Sequence, residues 1–141
     1  IIGILASIAL IGLGGSRIKA RDAKRISEVR QIQTALELYL NRCGYYPGPE
    51  DCIGHAFAVP TDWAAVKTAL ESGSGITNIP LKDPSGAAYL YWSTGDAYII
   101  GATLEQENAV LQGQLMDLTG MAGASICSTD TNVTKSYCVH S

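Results

Sequence analysis

The first forty-one residues hold no proline, and no charged residue precedes Arg17. Without proline nothing in this stretch breaks a helix, and without charge the opening run cannot be a solvated face. Phenylalanine occurs once and tryptophan twice, so tyrosine supplies seven of the aromatic side chains; with fifteen glycines this implies a loop-rich globular part with a modest core. There is no Cys-x-x-Cys spacing, and the two histidines, His55 and His140, stand far apart, which argues against zinc. Neither histidine has an acid and a nucleophile beside it in sequence, so catalysis is not expected, nor is any cofactor or metal. No internal repeat occurs.

What is present first is a rod. Ile1 to Leu13 consists of Ile, Leu, Ala, Gly and Ser, hydrophobic on every side. Beyond Ser16, apolar residues recur at Ile18, Ile26, Val29, Ile32, Leu36, Tyr39 and Leu40, mostly three or four apart, which places one stripe along a helix whose other faces are charged. Forty helical residues make a rod of roughly 60 Å, about twice the width of a small domain, so part of it must protrude. Residues 1–41 are therefore read as a spine helix, with 1–15 its apolar part and 16–41 its amphipathic part, and 42–141 as a globular head. Gly12, Gly14 and Gly15 form its weakest point, where a local melt or bend is expected.

Charge is divided unevenly. Through Asn41 there are six basic and three acidic residues, and beyond it four basic and ten acidic, so a rod of +3 carries a head of −6. Opposite signs on two parts of one chain suit self-association. The cysteines fall as two close pairs, Cys43 with Cys52 and Cys127 with Cys138. An even count in a small head fits an oxidising compartment; pairing by proximity would close two short loops, although three connectivities are possible.

Along the head, Gly44 and Pro47 end the rod and Tyr45 to Cys52 is turn-rich. Thr61 or Asp62 caps a second helix, Trp63 to Glu71, with Trp63, Val66, Ala69 and Leu70 on its apolar face and Gly73 and Gly75 as its stop. Asp83-Pro84-Ser85-Gly86 has turn chemistry, and Ala88–Ser93 and Ala97–Leu104 flank Thr94-Gly95-Asp96 as an antiparallel hairpin. Glu105 to Leu118 reads as helix rather than strand. Gly120 to Ser141 reads as a loop bounded by Cys127 and Cys138, with short strands at Ser125–Cys127 and Tyr137–Val139. The fold class is α+β, a long N-terminal helix on a small antiparallel sheet.

This order of features resembles the bacterial type IV pilins and the pseudopilins of type II secretion. The resemblance rests on Ile2–Ile8, on Lys19–Ile26 and Gln31–Tyr39, on the Gly44-Tyr45-Tyr46-Pro47 loop and on the Asp83–Pro84 turn. It implies a subunit anchored in the inner membrane before assembly, and a helical homopolymer with the N-terminal helices in its core afterwards. Ile1, Ile2, Ile4, Leu5, Ile8, Leu10, Ile11 and Leu13 would pack that core, Gly12, Gly14 and Gly15 would give a flexible point, and Ile26, Val29, Ile32, Leu36 and Tyr39 would hold the head. Pilus assembly machinery is an implied partner. The family also implies phenylalanine or methionine at the mature N-terminus and a glutamate within the apolar run. Neither is present, so a fragment lacking about ten residues is expected, which would bring the run to membrane-spanning length.

The resemblance leads to an extracellular type IV pilus subunit, ranked ahead of a secretion pseudopilin because of the two-cysteine tail. A membrane-anchored extracellular binding module is the reading from another class. Arg17 to Arg30 could form a phosphate-binding face, but a rod packed among neighbours makes nucleic acid an unexpected partner. Major pseudopilins bind calcium in the head, which raises Asp83, Asp96, Glu105 and Glu107; they lack the dense spacing of a calcium loop and read as solvated surface. Asn132-Val133-Thr134 fits a glycosylation sequon by pattern alone.

Overall fold

Strong helix formers run unbroken toward Cys43, and they form one helix. In a computed structural model describing residues 2–48, 52, 62–106 and 136–140, with α1 side chains described from residue 14, this is α1 (Ile2–Cys43). It stays helical through Gly12, Gly14 and Gly15, where the sequence predicts a melt or bend. Three glycines cost at most about 3 kcal/mol, while a break would need a second costly nucleation, and continuity wins. A Cβ at Gly14 or Gly15 would meet nothing within 4 Å, so no neighbour in this chain requires glycine there. α1 ends two residues past Asn41, because the first residue that favours a stop is Gly44: its φ is 82° and its N–H donates to the Leu40 carbonyl at 2.7 Å. Cys43 is disulfide-bonded to Cys52.

α2 (Trp63–Ser74) starts at Asp62, whose carboxylate accepts the Ala65 N–H at 2.8 Å, and stops at Gly75 with φ 74°. It therefore passes through Gly73 and runs three residues beyond Glu71. Trp63, Val66, Ala69 and Leu70 are buried against α1 and the sheet. Between α2 and the sheet, Gly86 closes a turn on the Asp83 carbonyl at 2.9 Å.

The sheet has three antiparallel strands, β1 (Leu90–Ser93), β2 (Tyr98–Thr103) and β3 (Ser136–His140), with β2 in the centre. Tyr91 faces Ile100, which faces Val139. The hairpin loop closes with the Thr94 N–H on the Ala97 carbonyl at 3.0 Å. β1 begins two residues later than expected; Ala88 is exposed, and Tyr89 turns its ring into the core. The core lies between sheet and rod: Val29, Ile32, Ala35, Leu36 and Tyr39 of α1 meet Tyr98, Ile100 and Ala102 of β2. Near its C-terminal end the rod is tied to the hairpin, the Tyr46 N–H donating to the Gly95 carbonyl at 2.7 Å and the Tyr46 and Tyr98 rings meeting edge-on at 4.6 Å.

Of the expected helix over 105–118, only Glu105 and Gln106 are described; both are bends, and their N–H groups donate to the Asp22 carboxylate of α1. Residues 107–118, the expected strand Ser125–Cys127, Asn132 and His55 lie outside the described residues. The expected strand at Tyr137–Val139 is part of β3.

Candidate assembly interface

The rod leaves the head between Ala20 and Asp22. From Gly14 to Ala20 every side chain is exposed except half-buried Ile18, and Asp22 is the first buried residue among those described. Among the described residues, nothing in the head buries this length. The outward face continues over Ala23, Ser27, Thr34 and Asn41 to Leu38, 42% exposed and one of two exposed large hydrophobics among the described residues. Of the residues expected to hold the head, Val29, Ile32, Leu36 and Tyr39 are at most 1% exposed, and Ile26 is partly buried against them. The side chains of the expected filament-core residues Ile1 to Leu13 lie outside the described residues. Among the described residues no helix is long and apolar enough to cross a membrane.

Where rod meets head there is a charged junction. The Arg25 guanidinium, 1% exposed as a residue, reaches three carboxylates: Nη1 lies 2.6 Å from Asp22 Oδ1, Nε 2.6 Å from Asp83 Oδ2, and Nη2 2.9 Å from Glu105 Oε1. The three acids come from α1, from the turn before β1 and from the bend two residues past β2. Arg21 joins from the solvent side, donating through Nε and Nη2 to both oxygens of Glu105. The carboxylates are also fixed by backbone. Asp22 accepts the N–H groups of Glu105 and Gln106 at 2.9 and 3.0 Å, and Asp83 accepts those of Ser85 and Ala87 at 2.8 Å each. One turn along α1, Glu28 accepts the Tyr89 hydroxyl and pairs with Lys24 at 3.7 Å.

These contacts govern protonation. Burial would push the Asp83 carboxyl up, but Arg25, the Ser85 hydroxyl and the Ala87 and Ser85 amides together hold it at about 2. Glu105 is held at about 2, chiefly by Arg21, against some burial and with Arg25 adding to the pull. Burial first, and the neighbouring Glu28 second, push the Tyr89 phenol up, so it stays a donor. Both carboxylates are therefore ionised at neutral pH, where the junction is an ionic contact.

Two expectations change as a result. Asp83 and Glu105 are not solvated surface: long-range partners on α1 bury the first and half-bury the second. Asp96 is exposed at the hairpin, and Glu107 lies outside the described residues. Asp83 and Glu105 do not fit a calcium site, because their oxygens are already engaged by guanidinium and amide donors, and among the described residues no three acids, histidines or cysteines form a metal-holding group. Likewise Arg17 to Arg30 is not a six-cation face. Arg25 is buried and Arg21 is paired, leaving Arg17, Lys19, Lys24 and Arg30 exposed. His140 is exposed at the end of β3, and Cys138 in the same strand is disulfide-bonded; Cys127, its expected partner, lies outside the described residues.

The sequence reading missed Asp22 and Arg25. A signal for them exists: four and seven residues after Ile18, they continue the stripe that Val29, Ile32, Leu36 and Tyr39 extend, so they are charges on the core-facing side of the helix.

No protein-family model matches the chain, and no solved structure does. Curated relatives do. The chain is 31% identical over 96 residues to the type II secretion system core protein G of Vibrio cholerae serotype O1, spanning 68% of this chain and 64% of that protein. It is 30% identical over 95 residues to the Dickeya chrysanthemi protein of the same name, and 32% identical over 95 residues to that of Aeromonas hydrophila. These matches span 61% to 65% of the relatives' own length. With a spine helix on a three-stranded antiparallel head and this similarity along about two thirds of its residues, the chain belongs to the family of type IV pilins and type II secretion pseudopilins.

Proposed function

We propose that the chain is a structural, non-catalytic subunit that polymerises through α1 into a helical filament of the secretion pseudopilin kind. It is held in the inner membrane by its apolar N-terminal run before assembly and stands in the periplasm afterwards, working with a secretion machinery. The observation that carries this reading is the length of α1 from Gly14 to Ala20 that the described part of the head leaves uncovered and that is continuous in sequence with the apolar run Ile1–Leu13. Charge supports it: between Gly14 and Leu36 every exposed charged side chain is basic, whereas the sequence beyond Asn41 is acidic overall, so copies attract head to rod. Contacts between unlike patches propagate rather than close on a two-fold axis, as a filament requires. The relatives favour secretion over a surface pilus, which reverses the order expected from the two-cysteine tail.

The type IV pilus remains the second reading, favoured by the disulfide at Cys138. Deleting the chain in its own cell separates the two. Loss of proteins from the culture medium with surface filaments unchanged is the expected result. Loss of sheared surface filaments with secretion intact would move the assignment to the pilus, and no filament from the overproduced chain in either compartment would end both readings.

A further inference from the structure

Between the apolar run and the head, α1 passes through a short neck whose charges are all positive. From Gly14 to Arg21 the sequence holds no acid; Arg21 is taken up by Glu105, while Arg17 and Lys19 are exposed and have no ion pair among the described residues. We propose that Arg17 and Lys19 form a collar that binds the headgroups of anionic phospholipids while the subunit is held in the membrane. The inference rests on the membrane-held state of the proposed function and names what that state touches at the membrane surface.

Spacing along the rod carries it. A hydrocarbon core about 30 Å thick inside a bilayer of about 40–45 Å leaves a headgroup layer of roughly 5–8 Å on each side. At about 1.5 Å per residue, Arg17 lies roughly 6 Å and Lys19 roughly 9 Å past Leu13, where the apolar run ends. Both side chains are long enough to set their charge among lipid phosphates. Two residues apart, they stand on nearly opposite sides of the helix, so lipid on either side of the rod meets a cation. Gly14, Gly15, Ser16 and Ala20 keep the neck narrow, and a Cβ at either glycine would meet nothing within 4 Å, which leaves headgroups room to approach. Among the described residues, burial by the head starts at Asp22, roughly 14 Å past Leu13 and beyond the headgroup layer. The junction there opposes the collar little, because Arg21, Arg25 and the exposed Lys82 beside Asp83 offset its three carboxylates. Arg30 stands roughly 26 Å past Leu13, more than a Debye length from the headgroups.

The test measures partitioning of the full chain, diluted out of detergent, into vesicles of phosphatidylcholine alone and of phosphatidylcholine mixed with phosphatidylglycerol, read by flotation at low and at high NaCl. The wild type should prefer the anionic vesicles, and high salt should shrink the preference. Arg17→Gln/Lys19→Gln should lose about fivefold of that preference for each cation, roughly twentyfold together, while entering the neutral vesicles as the wild type does. Arg30→Gln/Arg42→Gln removes the same charge further along the rod and should keep the preference. Equal partitioning of the wild type into both vesicles, a preference indifferent to salt, or a loss in Arg17→Gln/Lys19→Gln no larger than in Arg30→Gln/Arg42→Gln would each overturn the proposal. Partitioning into neither vesicle would overturn the membrane-held state with it, whereas equal entry into both would overturn the collar alone. Filaments lost in Arg17→Gln/Lys19→Gln with the anionic preference intact would assign the two cations to a second copy of the chain instead.

Discussion

The ring of Tyr39 on α1 lies directly against Gly73 on α2, so close that a Cβ at Gly73 would run into the ring. This contact explains why α2 does not stop at its first glycine: Gly73 is a packing position inside the helix, and Gly75, with φ 74°, is the terminator. In an exposed helix, alanine for glycine gains about 1 kcal/mol of propensity. Here overpacking against a ring that is 1% exposed should dominate, and Gly73→Ala is expected to destabilise by about 1–3 kcal/mol. Urea unfolding of Gly73→Ala, Tyr39→Leu and the double variant checks it. A coupling above about 0.5 kcal/mol, with the double variant less damaged than the singles imply, is expected; additive effects would remove the contact as the cause.

Acid should loosen the junction. Asp83 and Glu105 sit at about 2, below the ordinary carboxylate range, so their contributions are complete above that range and are lost as the pH falls from about 5 toward 2. For buried Asp83 the loss is on the order of 2 kcal/mol. Urea midpoints measured across this window should be flat above pH 5 and decline below it. Asp83→Asn should start lower and decline less, and an unchanged slope in that variant would show that the acid sensitivity arises elsewhere.

Tyr89 anchors the entry to β1 by donating its hydroxyl to Glu28. A hydrogen bond to a charged group contributes about 1.5–3 kcal/mol, and Tyr89→Phe should cost toward the lower end because Glu28 keeps Lys24 as a partner. The T-shaped contact of Tyr89 with Trp63, at 5.6 Å between ring centres, survives that change. Near-ultraviolet circular dichroism should therefore be preserved while stability falls; loss of both signals would point to core disruption instead.

The parts of this fold that were legible in the sequence are those whose chemistry is local. The Asp62 cap, the Asp83–Gly86 turn and the Thr94–Ala97 hairpin loop are each fixed by residues a few positions apart, and the apolar stripe of α1 shows which face is covered. What stayed hidden depends on distance. Arg25 meets Asp83 across 58 positions, and Arg21 meets Glu105 across 84, so neither acid could be told from a solvated one. The role of Gly73 was hidden for the same reason, since its neighbour is Tyr39. Asp22 and Arg25 fall between: their place on the apolar stripe marks them as buried, but no single sequence says by what.

The bond between Cys43 and Cys52 closes a loop at the end of the rod with a sequence separation of 9. Its contribution should lie mostly in restricting the unfolded chain, about 2–3 kcal/mol for so short a loop. The native loop has other supports: Gly44 caps α1, the Tyr46 N–H is bound to Gly95, and the Tyr91 hydroxyl donates to the Pro47 carbonyl at 2.8 Å. Removing the bond should therefore lower stability without dismantling the structure. Because Cys138 is also disulfide-bonded, a reductant would act at more than one place, and Cys43→Ala/Cys52→Ala is the cleaner test. Its unfolding free energy in urea should fall by about 2 kcal/mol with far-ultraviolet circular dichroism unchanged. A shift below about 0.5 kcal/mol would mean that the backbone contacts alone set this loop, and a loss of helical signal would mean that the end of α1 depends on the bond for its formation.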